Sequence, residues 1–259
     1  MQIVYSKYSR SRRPEYQIVT LIESDGENKV VWKKALTPEA RPHIERMFSN
    51  YKTLCEIYGK DHVAKADITD EDTVRFDYVE GLSWGTKIAN IGYNKGKQEF
   101  FLELRRYYRF LEEGKSIREN SNIDFSAHSF DGKLVDIDMH PDNVLYTARG
   151  PIIIDYEWLY ADAPISFVFQ RSMFNFYYNF HHSLLENVIT MEEIWEHFDV
   201  TEDDKRCYMR LEKAFSDAVG ADSFMKRYQK ENVYLDDVLS LKKQAKKRIL
   251  KYISSLRGR

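Results

Sequence analysis

The chain has 259 residues, enough for one large domain or two lobes around a sizeable core. With 43% apolar and 31% charged residues it reads as soluble and globular rather than disordered, and a formal net charge of −2 argues against a dedicated nucleic-acid binder. Cys55 and Cys207 lie far apart without metal-ligand spacing, so buried free thiols in a reducing compartment are expected. No apolar run follows a basic N-terminal stub, and no window approaches the roughly 18 apolar residues that span a bilayer, so the expectation is a cytoplasmic chain without a leader.

Residues 1 to 36 read as strands. Gln17 to Ile22 and Lys29 to Lys33 flank a turn at Asp25-Gly26-Glu27-Asn28, and Ile3-Val4-Tyr5 reads as a further strand ahead of them. The connecting segment Ser9 to Pro14 carries Arg10, Arg12 and Arg13 and no glycine. Period-two alternation places Val31 and Lys33 on one strand face, Trp32 and Lys34 on the other. Residues 38 to 58 read as a helix, with Thr37 as cap, Pro38 at the first position and Glu39 in the first turn. Its apolar stripe is Ile44, Met47, Phe48, Tyr51, Leu54, Cys55 and Tyr58. Residues 73 to 82 read as a strand running into a turn at Gly81. From Lys97 to Glu113 the spacing of Phe100, Phe101, Leu104, Tyr107, Tyr108 and Leu111 is that of a buried helical stripe, closed by Gly114. Ser116 to Phe130 is a polar loop in which His128 reads as structural.

Val135 to Trp158 carries the chemistry. Two short apolar runs, Val144 to Tyr146 and Ile152 to Ile154, flank a turn at Ala148-Arg149-Gly150-Pro151. The hairpin would gather Asp138, Asn143 and Asp155 at one end. One carboxylate can then accept a proton while the amide and the other carboxylate hold a hard cation through oxygen, as metal-assisted phosphoryl transfer requires. Each residue also has a plain structural reading: Asp138 and Asn143 as turn formers beside Pro141, Asp155 as a helix cap.

Beyond it, Phe167 to Phe180 reads as an aromatic helix, with Arg171 facing either an acidic group of the catalytic region or solvent. Residues 190 to 198 and 201 to 219 follow as helices, Thr190 and Thr201 each preceding acidic residues. Phe224 to Glu231 reads as a short helix. Val233 to Leu256 reads as a last helix, with eight Lys or Arg and no acid from Lys242 onward. That segment fits either a terminal helix packed on the body or a basic amphipathic surface for an acidic membrane or a coiled-coil partner.

Asp138-Met139-His140-Pro141-Asp142-Asn143 resembles the D-x-H-P-x-N catalytic loop of aminoglycoside phosphotransferases and choline kinases, and Ile154-Asp155-Tyr156-Glu157-Trp158 resembles the metal-binding segment after it. The resemblance implies an α+β, bilobal protein-kinase-like fold: a small β-rich N-lobe over residues 1–81, a larger helical C-lobe over 82–232 with the catalytic hairpin at 135–158, and the basic C-terminal helix at 233–259. It implies ATP and Mg2+ as cofactors. Asp138 would accept or orient the acceptor hydroxyl, and Asn143 and Asp155 would hold magnesium. Lys33 would position the phosphates, paired with Glu45 from the 38–58 helix or alternatively Glu39. The hinge would hold adenine through the backbone of Asp77 and Val79. The glycine-free segment Ser9 to Pro14 stands where a glycine-rich loop would cover the phosphates, and Asp136 stands where the families carry His. Together with Lys33-Lys34-Ala35-Leu36, Glu39-Ala40 and His43-Ile44, the chain is also similar to kinase domains of bacterial surface-polysaccharide (O-antigen chain-terminating) enzymes. That likeness implies a small-molecule or glycan hydroxyl as acceptor. A pseudokinase scaffold that binds nucleotide without transfer is the alternative.

Overall fold

The computed structural model describes residues 1–112, 135–160 and 164–220. An antiparallel sheet of five strands comes first: β1 (Gln2–Tyr8), β2 (Ile18–Ser24), β3 (Lys29–Ala35), β4 (Ala66–Asp70) and β5 (Thr73–Asp77), in the order β1-β2-β3-β5-β4. Register sets Lys33 of β3 between Thr20 of β2 and Val74 of β5. Helix α1 (Arg41–Tyr58) packs on this sheet through Ile44, Met47 and Leu54, all fully buried. β1 is one of the two edge strands and every residue of it is exposed.

The rest is mainly helical, so the fold is α+β with an antiparallel N-terminal sheet and a helical C-terminal region. Past Asp77 the chain makes a short strand β6 (Leu82–Ser83) and enters α2 (Trp84–Lys95), where the Ser83 hydroxyl accepts from the Thr86 N–H. Helix α3 (Lys97–Glu112) crosses α2 closely enough that a Cβ at Gly92 would lie 2.9 Å from Phe100. Phe100, Leu104, Tyr107 and Leu111 are buried, as their spacing predicts. Strand β7 (Val135–Asp136) pairs with β10 (Leu159–Tyr160). Between them lies the hairpin β8 (Val144–Thr147) and β9 (Gly150–Ile153), which β6 extends to three strands. Helix α4 (Ile165–Phe174) continues into a π-helical stretch, Asn175–His181, then α5 (His182–Leu185), α6 (Met191–His197) and α7 (Glu202–Val219).

The structure departs from the sequence expectations at several points. The 38–58 helix starts with a 3-10 turn, Pro38–Ala40, and the Thr37 hydroxyl donates to the Pro14 carbonyl at 2.7 Å instead of capping. The inner face of α1 is turned toward His43, Asn50 and Ile57, while Phe48, Tyr51, Cys55 and Tyr58 are only half-buried at its flank. Both cysteines are free and half-buried rather than buried, Cys55 because it stands on that flank. Strand β4 and helix α2 had no sequence counterpart. The expected features at Gly114, Ser116 to Phe130 with His128, Phe224 to Glu231 and 233–259 lie outside the described residues. Among the described residues no helix is long and apolar enough to cross a membrane.

Candidate active site

The cleft between the sheet and the hairpin contains a cavity of about 300 Å³. Its apolar walls include Ile18, Val31, Ala64, Phe76, Leu145 and Ile154. Its polar lining includes Arg12, Lys33, Asp155 and Glu157. Asp77 and Val79, the predicted hinge pair, both line it, and the Asp77 N–H donates to the Lys65 carbonyl at 2.9 Å.

At its inner end Lys33 is 3% exposed. Its ammonium donates to Asp155 Oδ1 and, at 2.5 Å, to Glu157 Oε1. Burial alone would push Lys33 down, but the charges of Asp155 and Glu157 outweigh it and hold the ammonium above its ordinary value. Burial likewise works against the Glu157 carboxylate, yet Lys33 and then Arg12 keep it well below the usual carboxylate range. Arg12 reaches down from the glycine-free segment and donates to Glu157 Oε2 at 2.6 Å. The backbone around Glu157 is fixed from α1, where the Asn50 amide donates to the carbonyls of Tyr156 and Glu157 at 3.0 and 3.1 Å. His43, also on α1, has its Nε2 3.6 Å from Glu157 Oε2, beyond hydrogen-bonding reach, and burial holds its pKa below the ordinary value.

Lysine and helix carboxylate are therefore not brought together as the resemblance implied. Glu45 and Glu39 are exposed, and the partners of Lys33 are Asp155 and Glu157. The physical reason is the rotation of α1: its inner face presents an imidazole and an amide to the cleft, and Glu45 falls on the solvent side. At 6% exposure and with two cations on it, Glu157 is committed to the interior.

The Asp138–Asn143 loop follows the hairpin geometry. The Ile154 N–H donates to the Asn143 carbonyl at 2.9 Å, so the bases of Asn143 and Asp155 are adjacent. Asn143 donates its amide N–H to the Asp138 carbonyl at 2.9 Å, leaving its amide oxygen as the acceptor end. Asp142 anchors the loop sideways: its Oδ1 receives the Ser83 hydroxyl and approaches His181 Nε2, both at 2.9 Å. A Cβ on Gly85 would fall 2.3 Å from that carboxylate, so this close approach to α2 needs glycine. Asp138 pairs with Arg171 of α4, which sequence reading had left between an acidic partner and solvent. Asp136 is fully buried, with Oδ1 accepting the Asp138 N–H at 3.0 Å and Oδ2 without a hydrogen-bond partner among the described residues. Burial, then the charge of Asp138, pushes its pKa well above the ordinary value.

Asp155 adopts a left-handed backbone (φ 58°), uncommon for a residue with a side chain, which turns the chain from β9 into the Asp155–Trp158 segment. Among the described residues no cluster of three or more His, Cys, Asp or Glu could hold a metal unaided. Asp155 and the Asn143 amide oxygen supply two hard donors. Such a sparse set suits a cation whose remaining ligands are water and phosphate oxygens.

Fold and site define a two-lobed α+β protein whose cleft holds a buried lysine on paired carboxylates beside an Asp–Asn loop. The solved structures with which the chain shares similarity include small-molecule kinases and phosphotransferases. A choline kinase from Streptococcus pneumoniae matches at 13% identity and TM-score 0.42, over 90% of each chain. An ethanolamine kinase from Plasmodium vivax matches at 15% and 0.36, over 77% of this chain and 69% of that one. A macrolide 2'-phosphotransferase from Brachybacterium faecium matches at 11% and 0.31, over 74% and 80%. No family model and no curated protein sequence matches the chain. Likenesses this distant decide neither activity nor substrate; those rest on the cleft's own residues.

Proposed function

We propose that the protein is an ATP-dependent phosphotransferase that moves the γ-phosphate to a hydroxyl of a small molecule or a glycan terminus. The observation that carries the reading is the convergence in one cleft of a buried Lys33, its partner Asp155 and an apolar slot bounded by the Asp77–Val79 segment, with Asn143 fastened next to Asp155 by the Ile154 N–H. The slot is suited to a purine ring and the lysine to phosphate. Bound magnesium, held by Asp155 and Asn143, would supply charge neutralisation on the phosphates. Asp138 orients the acceptor hydroxyl and receives its proton. Glu157 and Asp155 hold the Lys33 ammonium in place, and positioning of this kind accounts for most of the catalysis in this reaction class.

A panel of sugars, glycan termini, aminoglycosides and choline, offered with ATP and magnesium, tests the reading by ADP release. Turnover should fall by about 10²–10⁴-fold in Asp138→Ala, and an unchanged rate would remove Asp138 from its role. A second reading, a nucleotide-binding scaffold without transfer, draws on the direct Lys33–Asp155 pair, which occupies a metal ligand, and on the buried Asp136. It predicts magnesium-dependent thermal stabilisation by ATP, about 2.7 kcal/mol at 100-fold excess over Kd, with no ADP from any acceptor. Absence of any ATP-dependent shift would sink both readings.

A further inference from the structure

We propose that Arg171 is a positioning residue that fixes the Asp138 carboxylate with one chosen oxygen toward the acceptor; the inference rests on the reading of Asp138 given above. Both Nε and Nη2 of Arg171 donate to the same oxygen, Asp138 Oδ1, at 3.2 and 3.0 Å. Oδ2 receives no hydrogen bond among the described residues, so it is the oxygen left for a substrate hydroxyl. The backbone of Asp138 is already clamped at both ends, its N–H on Asp136 and its carbonyl under Asn143. What remains free in Asp138 is the side-chain torsion, and Arg171 removes that freedom.

Arg171 is itself held in place. Its Nη1 donates to Glu212 of α7, and its guanidinium lies 4.5 Å from the centre of the Phe215 ring. Burial disfavours its charge, but Asp138 and then Glu212 outweigh that and keep the pKa above the ordinary value. A guanidinium that is always charged, planar and pinned on its far side can hold a carboxylate rotamer in a way a flexible ammonium cannot. The side chain is 11% exposed, so water competes little for its donors.

The test uses the full chain with Arg171→Met, Arg171→Lys, Asp138→Asn and the Asp138→Asn/Arg171→Met double variant. ADP release from MgATP, with the best acceptor of the panel or with water, should show kcat lowered about 10–100-fold in Arg171→Met. KM for ATP should stay within about twofold, Arg171→Lys should recover part of the loss, and the double variant should be no slower than Asp138→Asn alone. Equal losses in Met and Lys variants, or additive losses in the double variant, would overturn the proposal. A second readout needs no turnover: Hα–Hβ couplings of Asp138 by NMR should report one rotamer in the wild type and averaging in Arg171→Met. An unchanged single rotamer would overturn the proposal even in an active enzyme. Averaging in an inactive protein would uphold Arg171 as the holder of Asp138 while the phosphotransferase reading failed.

Discussion

Two ionic clusters mark the site, and they differ in how deeply their carboxylates are buried. At the lysine end, two cations, Lys33 and Arg12, converge on Glu157, with Asp155 as a second and more exposed partner of Lys33; side-chain exposures are 4% for Lys33 and 8% for Glu157. At the loop end, one cation, Arg171, is shared by two carboxylates, Asp138 and Glu212, at 23% and 30%. Desolvated pairs of the first kind cannot lose a member without stranding a charge, whereas in the half-wet cluster water can compensate in part for a lost carboxylate. Both ends are held in place, and the loop end is the one whose carboxylates stay open to solvent.

That contrast can be broken most directly at Glu157. Glu157→Gln leaves Lys33 with Asp155 alone and Arg12 with none of its carboxylate, and should cost about 3–5 kcal/mol, a melting-temperature drop of roughly 6–20 °C for a chain of this size. A calorimetric drop below 2 °C would show that the buried cluster is not stabilising. Acid should erase part of the difference: the depressed Glu157 value stabilises the fold above its ordinary titration range, and that contribution is lost as pH falls through the folded value.

Asp136 gives the next effect, with the opposite sign. Its raised value means the folded protein keeps a proton that the unfolded chain releases near 3.8. Stability from this group is full below that value and is lost as pH rises toward the folded pKa. In urea denaturation Asp136→Asn should gain on the wild type progressively as pH rises above about 3.8; a pH-independent difference would contradict the raised carboxyl. Glu212→Gln, at the half-wet end, should cost no more than about 1 kcal/mol. Glu45→Ala should stay within about 0.5 kcal/mol and leave the melting curve in place. A large loss there would mean the helix carboxylate does pair with Lys33 in solution.

Local chemistry was legible in the residue order. Thr190 and Thr201 form the capping boxes expected of them, each hydroxyl meeting the third helical residue, because a box is closed within four residues. The Asp138–Asp155 hairpin was readable for the same reason, turn residues and two short apolar runs being contiguous. Strand β4, Ala-Asp-Ile-Thr-Asp, was missed because it is polar and only its first residue is buried, so it carries no clean alternation. Helix α2 contains two glycines that lower its helical signal, although Ser83 three residues ahead of Thr86 was an available cap signature. The partner of Lys33 lies 124 residues away, and nothing local says which carboxylate will meet it. The orientation of α1 decided the matter, and a buried His43 and Asn50 within an apolar stripe were the only trace of that orientation in the sequence.

The glycine-free segment has a kinetic consequence. Arg13 fastens it to the end of α7 through three hydrogen bonds: its N–H to the Val219 carbonyl, Nη2 to the Asp217 carbonyl and Nε to the Gly220 carbonyl, at 2.8, 2.7 and 3.1 Å. A glycine-rich cover can flex over its nucleotide by itself; this roof is tied to the wall. At about 0.5–1.5 kcal/mol for each bond, lifting it slows opening by roughly one to three orders of magnitude. Access to the cleft is then governed by a tether at the end of α7 rather than by the segment that lines its mouth.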